Sequence, residues 1–96
     1  MPEIRFEWDS SKNDLNQKKH GVSFEEGKTV FYDENARLIS DPEHSDEEDR
    51  FIMMGMSLKL RILIVCHCYR ENENAIRIIS ARKTSKQEAD QYRRYK

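Results

Sequence analysis

The segment Ile76-Arg77-Ile78-Ile79-Ser80-Ala81-Arg82 alternates like a β-strand, and a helix start follows almost at once, with Ser85 three positions ahead of Glu88. In such a capping box the serine hydroxyl accepts from the N–H three residues on, and the glutamate reaches back to the serine N–H. A strand that feeds a capped helix without a linker fixes where the two must pack, so the rest of the chain is organised around this junction. The junction is also cationic. From Ile76 onward Arg77, Arg82, Lys83, Lys86, Arg93, Arg94 and Lys96 face only Glu88 and Asp90. A dense cationic surface carrying tyrosines and a carboxylate suits a phosphodiester. The same residues also fit a solvated basic helix closing a small domain.

Upstream, Ile4 to Trp8 alternates apolar and charged residues over a strand length. Asp9 or Ser10 offers an N-cap for a helix running to His20, and Gly21 supplies its left-handed stop. Leu15 is nearly the only aliphatic residue in that helix, which predicts weak anchoring. Ser23, with Glu26 three residues on, opens a second helix whose buried stripe is Phe24, Gly27, Val30 and Phe31. Strands are expected at 36–40, 50–56, 61–69 and 75–82, the last three joined by short turns as an antiparallel meander. The order is strand, two helices, four strands, helix. That defines an α+β domain over residues 1–96, a twisted antiparallel sheet with two N-terminal helices and one C-terminal helix packed on one face of it.

Composition narrows the setting. Hydrophobic and charged residues each make up 36% of the chain, as in a soluble globular fold with one modest core. No apolar run approaches the roughly 20 residues of a membrane helix, and the N-terminal residues lack a signal-peptide layout. A cytoplasmic protein is expected. The net charge of −1 conceals segregation, since eight acids stand against two arginines between Asp33 and Arg50. His44 lies in this acidic run, but the spacing matches no metal motif, and neither metal nor cofactor is expected. Cys66 and Cys68 share one face of a strand, too close in sequence for an unstrained disulfide, and read as reduced core thiols.

Metal-free cleavage of RNA needs a base for the 2′-hydroxyl, an acid for the leaving 5′-oxygen and cations for the charge that builds at phosphorus. His67 is a proton-transfer candidate, with a half-buried, hydrogen-bonded histidine as the competing reading. Glu88 and Tyr92 adjoin on one helix face at i, i+4, and Glu88 also fits a purely capping role. Arg77 and Arg82 suit phosphate because the guanidinium fork matches two of its oxygens. Arg61, Lys83, Lys86 and Arg93 are candidate contacts to the RNA backbone. If Arg77 shares a face with His67 and Tyr69, pairing across the turn at 70–74 would bring the three together.

Several stretches resemble the BrnT family of bacterial toxins. They are Phe6-Glu7-Trp8-Asp9, Lys19-His20-Gly21-Val22-Ser23-Phe24-Glu25-Glu26, Val30-Phe31, Asp41-Pro42 with His44-Ser45, Arg50-Phe51, Gly55, and Ile76 to Arg82 with Glu88 and Tyr92. The resemblance spans nearly the whole chain in order. It implies a RelE/ParE-like fold, a ribonuclease that stops translation, and neutralisation by a small BrnA-like antitoxin, with DNA reached only through that antitoxin. Two toxins joined through an antitoxin dimer, a heterotetramer, is the implied assembly. A non-catalytic, ParE-like interaction module or corepressor is the alternative reading.

Overall fold

The computed structural model describes residues 4–40, 50–70 and 74–94. The part of the acidic run at 41–49, which includes His44, lies outside the described residues, as do Tyr95 and Lys96. Chain order is β1 (Arg5–Glu7), α1 (Ser10–His20), α2 (Phe24–Thr29), a 3₁₀ turn (Val30–Tyr32), β2 (Arg37–Ser40), β3 (Arg50–Met56), β4 (Ile62–Arg70), β5 (Ala75–Lys83) and α3 (Lys86–Arg94). The architecture is α+β, with one five-stranded sheet in the order β1-β5-β4-β3-β2. Among the described residues no helix is long and apolar enough to cross a membrane.

The sheet is mixed, which corrects the expectation of a wholly antiparallel one. Strands β3 to β5 form the expected antiparallel meander, and β2 pairs antiparallel with β3. β1 instead lies parallel to β5, with Arg5 opposite Ala75 and Glu7 opposite Arg77. The position of α1 accounts for this direction. Running the same way as β5, the chain passes straight from the paired segment into α1, which covers the remainder of the same strand edge. An exposed edge is a row of unsatisfied backbone groups, and Asn16 on α1 closes it. Its amide donates to Ala81 O at 2.7 Å and accepts from Ala81 N at 3.2 Å, as a neighbouring strand would.

Local signals account for the helix ends. Asp9 caps α1 by accepting from Ser11 N and Lys12 N. Gly21 ends it at φ 69°, a left-handed conformation that costs a residue with a Cβ. Ser23 caps α2 by accepting from Glu26 N. The expected reciprocal bond is replaced, because the Glu26 side chain turns inward to Arg61 and to Ser57 Oγ at 2.7 Å.

One face of the sheet carries α1 and α2. The core there is Val22, Phe24, Val30, Leu63, Val65, Ile78 and Ala81, with Phe6, Trp8, Phe31 and Met53 packed around it. α1 contributes almost nothing apolar, and Leu15 is 64% exposed. Its inward residues are the amides Asn13 and Asn16. Asn13 Oδ1 accepts from Phe24 N at 2.8 Å, and Asn13 Nδ2 donates to Glu25 at 3.0 Å. Polar anchoring thus replaces the aliphatic stripe the helix lacks. On the opposite face a second cluster, Met54, Ile64 and Tyr92 with Ile52, Met56 and Ile62, seats α3, which corrects the expectation that the helices share one face.

Candidate functional site

β5 determines which side chains reach the uncovered part of that second face. Its pairing with β4 runs in step from Leu63–Lys83 to Cys66–Ser80, then slips so that His67 faces Ile78 and Cys68 faces Arg77. Ile79 is the extra residue of a β-bulge. Ile78 and Ala81, three apart, therefore both enter the helix-side core, which an unbroken two-residue alternation forbids. The same slip brings Arg77 round to the face of Ser80 and Arg82.

Tracing the register across the sheet gives the composition of this face. Arg77 lies opposite Cys68, and Cys68 opposite Arg50. Arg82 lies opposite Ile64, Ile64 opposite Met54, and Met54 opposite Arg37. Paired residues point to the same side of a sheet, so Arg37, Arg50, Arg77 and Arg82 share one face. Among the described residues its cover is α3, over the end where Met54 and Ile64 sit. The central floor is Ser80, Cys66 and Ile52. Neither Arg37 nor Arg50 stands out in the sequence as a site residue, because only strand register aligns them with Arg82.

Arg82 and Glu88 are the tightest constellation at the site. Nη1 and Nη2 of Arg82 donate to Oε1 and Oε2 of Glu88 at 2.8 and 3.0 Å, a bidentate pair. Glu88 Oε1 also accepts from Ser85 N at 2.8 Å, and Ser85 Oγ accepts from Glu88 N at 3.2 Å, completing the capping box. The helix cap therefore fixes the carboxylate, and the carboxylate fixes the guanidinium. Arg82 beside it, with the Ser85 bonds, holds the Glu88 carboxyl down at about 2 against the opposing effect of burial. Arg77 donates from Nη1 to Glu7 at 2.9 Å across the β1–β5 pair.

Because the folded carboxyl of Glu88 titrates near 2 rather than its ordinary 4.5, its stabilising contribution is complete above about pH 4.5 and is lost as pH falls through about 2. Glu88→Gln keeps a side chain competent for the capping box but removes the charge. Denaturant midpoints should show the variant less stable than wild type at pH 7, with the gap narrowing steadily from about pH 4.5 down towards pH 2. An unchanged gap would mean that the charge of Glu88 contributes nothing.

The other sequence candidates separate. His67 is wholly buried on the helix-side face, so the conditional grouping of Arg77 with His67 and Tyr69 does not form. The bulge puts Arg77 on the other side. Phe31 meets the imidazole edge-on at 4.8 Å and Phe51 lies 6.3 Å away. Burial pushes the His67 pKa below its ordinary value, opposed by the contact of Nδ1 with Val65 O at 3.1 Å. Tyr92 is also buried, and its hydroxyl donates to Asp33 Oδ2 at 2.5 Å. Burial and the neighbouring Asp33 raise that phenol to about 12. Asp33 Oδ2 accepts from Met56 N as well, at 2.8 Å, so this bond ties α3 to the end of β3. Gly55 allows the close packing there, since a Cβ would stand 2.9 Å from Val30 Cγ1 and 3.1 Å from Asp33 Oδ2.

Arg61 belongs to the opposite layer. Its guanidinium pairs with buried Glu26 and donates to Gly21 O at 3.2 Å. Lys83 and Lys86 are exposed at the strand–helix junction, and Arg93 is exposed beside Asp90 at 3.7 Å. Cys66 and Cys68 are not joined in a disulfide. Among the described residues no group of three metal-ligating side chains comes together.

A sheet face bearing four arginines, one of them locked to a helix cap, gives this small α+β protein a cationic surface whose chemistry suits a polyanion. Comparison with known proteins gives that class its family. The family model described as "Ribonuclease toxin, BrnT, of type II toxin-antitoxin system" matches residues 8–88. The crystal structure of the Brucella abortus ribonuclease toxin BrnT is similar at a TM-score of 0.67 and 25% sequence identity, covering 86% of this chain and 99% of that one. No curated protein matches the sequence. The chain belongs to the BrnT family, the ribonuclease toxins of type II toxin–antitoxin systems. RNA cleavage is its activity and a cognate antitoxin its partner, which decides against the non-catalytic interaction module.

Proposed function

We propose that RNA lies across the uncovered face of the sheet, with the scissile phosphate between Arg77 and Arg82. The observation that carries this reading is the bulge at Ile79, which aligns Arg77 with Arg82 on one face beside Arg37 and Arg50. Arg82, aimed in advance by Glu88, supplies the fork that meets the charge developing at phosphorus. Lys86 and Arg93 grip the backbone on either side, and Lys83, which faces the helix side of the sheet, adds only long-range attraction. Glu88 is an anion at neutral pH, and a carboxyl near 2 is a weak base. Its role is to orient Arg82. His67 and Tyr92 act through the scaffold, one within the aromatic core and the other as the anchor of α3. Water takes the proton from the 2′-hydroxyl and returns one to the leaving 5′-oxygen, in place of a side-chain base and acid. Rate enhancement therefore rests on charge stabilisation and on holding the 2′-oxygen in line with the phosphate, and needs no metal.

The family's RelE/ParE-like arrangement extends the reading. A BrnA-like antitoxin covers the arginine face with acidic or apolar segments and screens it from RNA. Two toxins are joined through an antitoxin dimer as a heterotetramer, which reaches DNA only through the antitoxin, in the cytoplasm. The test is incubation of the purified chain with RNA in EDTA, followed by analysis of the new ends. Attack by the 2′-hydroxyl gives 2′,3′-cyclic phosphate and 5′-hydroxyl ends, and both are expected. RNA left intact in EDTA but cut once Mg²⁺ is restored would overturn the metal-free mechanism.

A further inference from the structure

A cavity of about 290 Å³ opens where α3 crosses the outer strands, lined by Arg37, Ile39, Met54, Gln91 and Arg94. It sits on the arginine face. Met54 and Arg37 belong to the same cross-strand row as Arg82. With strands about 4.8 Å apart, β2 lies about 14 Å from β5, beyond the phosphate held at Arg82 but on the path of the same strand of RNA. Gln91 is one helical turn past Glu88, and Arg94 one turn past Gln91, so a single edge of α3 orients Arg82 and then walls the cavity.

The lining is amphipathic in a specific way. Ile39 and Met54 give an apolar floor on which a flat ring can lie. Arg37, Gln91 and Arg94 surround it with far more donors than acceptors, because a guanidinium offers only N–H groups and the amide adds one acceptor. Sequence reading of RNA works on unstacked bases, held by their faces and hydrogen-bonded at their edges. Among base edges, guanine N7 and O6 present two adjacent acceptors, the preferred match for arginine.

We infer that this cavity is a nucleobase subsite for an unpaired purine flanking the cleaved phosphate, guanine in preference to adenine, read by Gln91, Arg94 and Arg37. The inference rests on the proposed path of RNA across this face and adds the origin of sequence preference. Gln91 and Arg94 are both exposed, so their substitution leaves the core intact.

The experiment uses the full chain and a set of short single-stranded RNAs with guanine, adenine, uracil or no base at one position at a time near the cleavage point. Single-turnover cleavage rates are compared within each protein, so that overall loss of activity cancels. Wild type should cut its preferred guanine RNA about tenfold or more faster than the abasic one. Gln91→Ala and Arg94→Ala should each reduce that ratio to within about threefold. Cleavage by wild type with a ratio that neither variant alters would overturn the subsite and leave the ribonuclease reading standing. Cleavage with no base preference at any position would overturn it too. Absence of cleavage in every RNA would overturn both readings.

Discussion

Arg82→Ala should lower single-turnover RNA cleavage by roughly 10²- to 10³-fold, the usual cost of removing one preorganised donor to a developing oxyanion. The protein should remain folded. Arg82 is 43% exposed, and ion pairs this open to water contribute at most about 1 kcal/mol. In a domain of this size that moves the melting midpoint by no more than about 8 °C. Arg82→Lys separates charge from geometry. A lysine keeps the charge but loses the fork held by both oxygens of Glu88, and should recover only part of the rate. Lys83→Ala is the matched control. In the pairing with Leu63 it faces the helix side of the sheet, so its loss should cost only a few-fold, through weaker backbone attraction. Equal losses at Arg82 and Lys83 would mean that charge density alone, and not an aimed guanidinium, drives the reaction.

What the sequence made legible was everything decided within a few residues. The Ser85–Glu88 cap, the Ser23 cap, the Gly21 stop and the 50–83 meander all arise from local spacing, and all form as expected. What stayed hidden depends on which strand lies beside which. Ile78 and Ile79 are adjacent and alike, so the sequence offers two phases for β5, and only pairing with β4 selects the bulged one. That choice moves Arg77 to the far face and leaves His67 without its expected company. Burial of His67 was equally non-local. The end of β4 looks polar along the chain, but Phe31 and Phe51 arrive from elsewhere to enclose the imidazole. By sequence Arg37 is simply a strand residue and Arg50 the start of the next strand. The alignment of Arg37 with Arg82 and of Arg50 with Arg77 is a property of the sheet.

The bulge therefore links fold to function more directly than any single side chain. An unbroken β5 would send Arg77 into the same layer as Ala81, where Val65 and the helices leave no room for a guanidinium. One extra residue lets the strand bury Ile78 and Ala81 for stability while presenting Arg77, Ser80 and Arg82 to the other side. Bulges next to functional surfaces serve this purpose, re-aiming a side chain without ending the ladder.

The largest loss of stability is expected at a residue that hydropathy would pass over. Asn16→Ala should destabilise the domain by about 3 kcal/mol, whereas Leu15→Ala should fall within about 0.5 kcal/mol of wild type. Apolar burial alone would rank the two the other way. Asn16 is 7% exposed, and its amide bonds Val22 O at 2.8 Å, Ala81 O at 2.7 Å and Ala81 N at 3.2 Å. Removing it strands three backbone groups, two of them at the edge of β5 that no strand covers, and each buried group left unsatisfied costs about 1–3 kcal/mol. A groove between α1 and β5, lined by Lys12, Leu15, Asn16, Lys19, Ile79 and Ser80, would admit water and recover part of that cost. Even so, about 3 kcal/mol is a large share of the roughly 5–15 kcal/mol that holds a typical domain. Urea unfolding measures the difference, and hydrogen exchange at the Ala81 amide locates it. That amide should lose protection in Asn16→Ala well before the amides of β4. If Ala81 stays protected and the midpoint is unchanged, α1 is held by something other than its asparagines, and the account of how this edge is sealed fails with it.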